Sequence, residues 1–93
     1  MKPIHPGRIL RREMSARGLS ANKLALALRV PSGRITQILN GKRGISAETA
    51  LRLARYFGTS ESFWMGLQAD YDLEEAKNRL KSKLDREIQP FTA

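Results

Sequence analysis

No cysteine occurs in the 93 residues, which removes disulfides and thiolate metal sites as sources of stability. No apolar run approaches the roughly 20 residues that cross a bilayer. The opening Met1-Lys2-Pro3-Ile4-His5-Pro6 also lacks the apolar stretch of a signal peptide. A cytoplasmic protein is the expectation. His5 is the single histidine, and nothing in the sequence pairs with it as a metal ligand or as a nucleophile–base couple. No catalytic residue, metal or cofactor is therefore expected, and His5 reads as a polar group at a helix start. Acidic residues are nearly missing from the first half. Residues 1–46 hold ten basic side chains against Glu13 alone, a balance of +9, whereas residues 47–93 hold seven basic and eight acidic, or −1.

That asymmetry is the first positive signal. Counterion release makes a strongly cationic half attractive to nucleic acid of any sequence. Charge by itself does not separate DNA from RNA or from an anionic membrane. The length suits one compact domain whose single core gives modest stability, so a homodimer sharing apolar surface is expected.

Period-2 alternation is weak, while leucine, alanine and isoleucine recur at steps of three and four, the signature of an all-α protein. Five helices are expected. The first runs from about Pro6 to Arg17, with Ile9, Leu10 and Met14 inward, and stops at Gly18. The second follows Ser20 as N-cap and turns Leu24, Ala25 and Leu28 inward. The third spans about Pro31–Ser32 to Asn40, with Ile35, Ile38 and Leu39 apolar. The fourth starts at Ser46, with Glu48 favourable in its positive first turn and Ile45 and Ala50 spaced as a hydrophobic staple, and carries Leu51, Leu53, Ala54 and Phe57 to Gly58. Ser60 caps a fifth, longer helix with Phe63, Trp64, Leu67 and Tyr71. Beyond Asp72, Leu73, Ala76, Leu80, Leu84 and Ile88 keep helical steps inside a highly charged segment that Pro90 ends. The expected division is one compact domain over residues 1–72 and an amphipathic extension of the last helix over 73–93, which could pair with another chain or lie as a frayed charged helix.

Leu19 to Arg43 holds the most specific pattern. Two short helices flank a turn of about three residues, which suits a sharp crossing. Ala25 is small where the helices cross, Val30 plugs the turn, and Ile35 packs back on Leu24 and Ala25. The second helix is then held proud of the body, free to enter a major groove about 12 Å wide. A helical hairpin of any all-α protein would share the apolar positions. It would not account for the polar, cationic outer face of Ser32, Arg34, Thr36, Gln37 and Asn40, followed by Lys42 and Arg43.

Gln37 can donate and accept at an adenine edge, and Arg34 can read guanine bidentately or clamp a phosphate. Ser32 and Thr36 lie near the docking end. Asn22, Lys42 and Arg43 suit backbone anchoring, which sets register rather than sequence preference. Arg8, Arg11 and Arg12 add attraction or meet a protein partner. Phe63, Trp64 and Tyr71 could stack on single-stranded bases. They lie on an apolar helical face away from the basic half, so core or dimer packing is the expectation.

Leu19–Arg43 resembles the helix-turn-helix of the lambda Cro/repressor (XRE-type) family. Four pieces narrow the resemblance to HigA-type antitoxins: His5-Pro6-Gly7 with Ile9-Leu10; Asn40-Gly41-Lys42-Arg43-Gly44-Ile45; Ala50-Leu51-Arg52-Leu53-Ala54; and Phe63-Trp64 through Leu67-Gln68 to Tyr71-Asp72-Leu73. The similarity covers about residues 3–73. It implies a five-helix lambda-repressor-like domain, a dimer on an inverted-repeat operator in double-stranded DNA, and a partner that is a small basic RelE-like toxin, a ribosome-dependent mRNA endonuclease. A stand-alone or phage-type regulator is the alternative. Arg29 stands where the family places glycine, and a left-handed conformation there would cost roughly 1 kcal/mol. Ala21 replaces a glutamine many relatives place at the start of helix two, Gly33 gives up a side chain on the second helix of the motif, and Glu61-Ser62 stands where Pro-Glu is common.

Overall fold

The computed structural model describes residues 2–92. Among them the elements are α1 (Pro6–Ala16), α2 (Ala21–Leu28), α3 (Ser32–Leu39), α4 (Ala47–Phe57) and α5 (Glu61–Glu87), with no strand. No helix among the described residues is long and apolar enough to cross a membrane.

Local chemistry starts each helix. Ser20, Ser46 and Ser60 accept at Oγ from the backbone N–H of Lys23, Thr49 and Phe63, respectively, satisfying donors that the first turn leaves orphaned. His5 does the same for α1: its Nδ1 accepts from the Gly7 N–H at 2.9 Å, with Pro6 in the first turn. The helix ends are equally local. Four of them close with an N–H five residues on bonding back to the last turn: Leu19 to Met14, Val30 to Ala25, Lys42 to Gln37 and Thr59 to Ala54. Such a closure requires a left-handed residue. Gly18, Gly41 and Gly58 supply it in three cases, and Arg29, at φ 60°, in the fourth. Arg29 thus takes the conformation its position in the turn predicted.

Helices α1 to α4 wrap one core. Leu10, Leu24, Ile35, Ile38, Ala50, Leu53 and Trp64 are fully buried there, joined by Met14, Ala25, Leu28, Ile45 and Ala54. Trp64 brings a polar atom inside, and its Nε1–H donates to Thr59 Oγ1 at 2.8 Å. Ile9, Leu39 and Phe57 pack only at the margin. One apolar expectation fails: Leu51 is 55% exposed. Leu51 lies next to Ala50 and two residues from Leu53, so the stripe that buries those two turns Leu51 outward. The early part of α5 packs on α4 and α1. Its later part continues past the core as one unbroken helix, and the molecule extends 53 × 25 × 22 Å.

Gly7 marks a close approach. A Cβ there would collide with the Ile38 carbonyl, so the first turn of α1 can lie directly on α3 only as glycine. Gly7→Ala is expected to lower stability by about 1–3 kcal/mol, the range of an overpacked core. Arg29→Gly should raise it by about 0.5–1 kcal/mol by relieving the left-handed arginine. Chemical denaturation of the two variants checks both signs.

Candidate nucleic-acid interface

Helices α2 and α3 pack closely through their apolar sides. Leu24, Ala25 and Leu28 from α2 meet Ile35 and Ile38 from α3, and Ala25 is 2% exposed. Arg29 and Val30 carry the chain round the corner, with Val30 partly buried against the core. With its inward positions used up, α3 offers the opposite side to solvent. Ser32, Gly33, Thr36 and Gln37 are exposed, as is Asn40 at the helix end. Eight steps of about 1.5 Å set Ser32 and Asn40 roughly 12 Å apart along this rod. Thr36 Oγ1 donates to the Ser32 carbonyl at 3.3 Å and so spends its proton within the helix. A Cβ at Gly33 would meet nothing within 4 Å, so its lack of a side chain serves no packing need.

Asn22, Lys42 and Arg43 are exposed as well. The loop bearing the last two is braced from behind. Gln68 of α5 accepts at Oε1 from the Ile45 N–H at 2.7 Å, and its Nε2 donates to Asp72 Oδ1 at 3.0 Å. Any side chain at Gly44 would strike Gln68. His5 stands beside Gly41, its ring edge-on to Tyr71 with centroids 4.9 Å apart. The segments His5–Gly7, Gly41–Ile45 and Gln68–Asp72, distant in sequence, therefore form one joint behind the exposed rod.

Arg34 departs from the expected placement. Rather than joining the outer row it lies along α4, where its Nη1 is 3.4 Å from Glu48 Oε1 and its side chain is only 27% exposed. The aromatic trio also divides. Trp64 is core, Phe63 is 40% exposed with its ring edge-on to Trp64, and Tyr71 belongs to the joint with His5. Three contributors were only partly legible in the sequence. Gln68 and Arg52 appeared only inside resembling segments, and Glu48 was read as a favourable charge in the first turn of α4, with no signal of which side chains it faces.

A tight corner, a buried inner side and an exposed polar second helix define a helix-turn-helix module. The comparisons agree. The helix-turn-helix family model matches residues 10–64. Virulence-associated protein I of Dichelobacter nodosus is 49% identical over 83 residues, covering 88% of this chain and 77% of that protein. Among solved structures, a HigA-family addiction module antidote protein from Coxiella burnetii superposes with a TM-score of 0.94 at 48% identity, over 98% of this chain and 100% of that one. The Pseudomonas aeruginosa antitoxin HigA, solved with the higBA promoter, gives 0.93 at 44% identity, over 97% and 99%. The chain belongs to the XRE-type helix-turn-helix family, and these solved neighbours are HigA antitoxins.

Burial holds the His5 imidazole below its ordinary pKa of 6.5, with Asp72 pulling the other way. The folded state therefore binds this proton less readily than the unfolded chain, and protonation also removes the Nδ1 lone pair that caps α1. The stability His5 contributes is complete above about pH 6.5 and is lost as pH falls through the lowered folded value. Thermal unfolding between pH 7.5 and 5.5 should show a falling midpoint. In His5→Asn, which caps without titrating, the fall should flatten.

Proposed function

We propose that this protein is a homodimeric, sequence-specific transcriptional repressor that binds an inverted-repeat operator in double-stranded DNA, as the antitoxin of a HigBA-type pair. In this reading it autoregulates its operon in the cytoplasm and neutralises a small basic RelE-like mRNA endonuclease, without catalytic activity or a cofactor of its own. The single observation that carries the proposal is the exposed polar side of α3, with Gln37 at its centre, in a chain that superposes almost end to end on an antitoxin solved with its promoter. Gln37 has both a donor and an acceptor to offer an adenine edge. Ser32 and Thr36 are exposed on the same helix, and Asn22, Lys42 and Arg43 flank the rod as phosphate anchors. The excess charge of the first half supplies sequence-independent attraction.

Each chain brings one α3, so a two-fold operator calls for two chains with half-sites about one helical turn, 34–36 Å, apart. Residues 73–93 are the natural place for the second copy. Leu73, Leu84 and Ile88 are exposed on this extension, apolar surface that a single chain leaves in water. The alternative, a regulator without a toxin, differs in one accessible respect: only an antitoxin should co-purify with the product of a short basic reading frame beside its gene.

An electrophoretic shift with the upstream inverted repeat at moderate salt is expected to disappear when the repeat is scrambled. Unchanged binding to the scrambled duplex would refute base reading. Gln37→Ala should cost about 1–3 kcal/mol on the operator and relax preference at one base pair. Lys42→Ala should weaken operator and random duplex alike and lower the salt slope by about 0.9.

A further inference from the structure

The contacts between α3 and α4 bring in a residue that so far has only a local role at its own helix end. Glu48, in the first turn of α4, lies with Oε1 3.4 Å from Arg34 Nη1 and 3.5 Å from Arg52 Nε. Arg52 in turn donates from Nη1 to the Leu28 carbonyl at 2.9 Å, at the last residue of α2. One carboxylate thus faces two guanidinium groups, and the chain of contacts runs from the end of α2 through α4 to the first turn of α3. Neither ion pair is the short, two-point fork that arginine makes with a well-placed carboxylate. The Nε atoms of both arginines are buried without a hydrogen-bond partner. Arg34 is held, but held loosely, by an anion that it shares.

We infer that Glu48 is a positioning residue for DNA recognition: it keeps Arg34 drawn back along the flank of α3 and yields it only where the DNA offers a better acceptor. The inference rests on the reading of α3 as the base-contacting helix. A random duplex presents single phosphates. Exchanging Glu48 for one of them swaps one anionic partner for another, so Arg34 adds little to non-specific binding. In a matched site the contacts of Ser32, Thr36 and Gln37 already hold α3 in register. The paired acceptors of a guanine edge can then engage the guanidinium at two points. Glu48 thereby raises the difference between right and wrong DNA rather than the affinity for either.

A double-mutant cycle on the full chain tests this, with wild type, Glu48→Gln, Arg34→Gln and the double variant titrated against the upstream inverted repeat and a scrambled duplex across a range of salt. Glu48→Gln is expected to tighten binding to scrambled DNA about five- to tenfold and to steepen its salt slope by about 0.9, the signature of one further phosphate contact. Its preference for the operator should narrow accordingly. In the Arg34→Gln background the same change should have little effect. If removing Glu48 tightens binding equally with and without Arg34, the carboxylate is simply a repulsive charge and the inference fails. An operator preference in Glu48→Gln equal to wild type overturns it too. Wild-type protein that binds both duplexes alike refutes base reading itself, and this assignment with it, a result distinct from an additive cycle. Should Arg34→Gln fail to fold, Arg34→Met, which keeps the length of the stem, takes its place with the same expectation.

Discussion

The seam between α2 and α3 is the constraint on which the rest depends. Ile35 and Ile38 are wholly buried, and Ala25 is small enough to let the two helices lie close. These contacts fix which side of α3 is spent on the core, and so which side is left to solvent. Without them Ser32, Thr36, Gln37 and Asn40 would be polar residues on a short helix with no defined orientation. An eight-residue helix is marginal by itself in water, and tertiary packing is what makes it rigid. The left-handed Arg29 belongs to the same constraint. It is the conformation that turns the chain through the corner, and it is occupied even though the residue is not glycine.

A second requirement is that the rod be braced from behind. Three stretches of sequence far apart meet there, and each brings one element of a shared geometry. His5 caps α1 and sets its ring against Tyr71, Gly7 admits the Ile38 carbonyl, and Gln68 takes the Ile45 N–H beside Gly44. The loop that carries Lys42 and Arg43 is consequently a fixed support rather than a free strand. Cationic side chains on a fixed loop can set register on a phosphate backbone, whereas on a mobile loop they would supply attraction alone.

Electrostatics is organised at two scales. The long-range field comes from the distribution of charge, +9 in the first half against −1 in the second, and acts on any polyanion. At short range, Glu48 stands between Arg34 and Arg52 and removes one of those cations from the outer row. Composition speaks to the first scale and is silent on the second, because the partners Arg34 and Glu48 are fourteen positions apart and on different helices.

What the sequence determined by itself was local and periodic. Serine caps, glycine stops and the recurrence of leucine and isoleucine placed five helices close to where they lie, because each of those signals acts within a turn or two of the chain. The spacing of Ala25, Val30 and Ile35 in turn implied the corner and the outward second helix. Tertiary structure decided the rest. Whether Leu51 or Leu53 faced the core, whether Phe63 or Trp64 was buried, and that Arg34 would lie along α4 all depended on which helix came to rest beside which. Phe63 and Trp64 are adjacent and similar in size and hydrophobicity, and only the packing of the core against α5 decided which one was buried. The joint of His5, Gly7, Gln68 and Tyr71 was undecided for the same reason: its two halves, His5 with Gly7 and Gln68 with Tyr71, come from opposite ends of the fold, so their meeting exists only once the helices have docked.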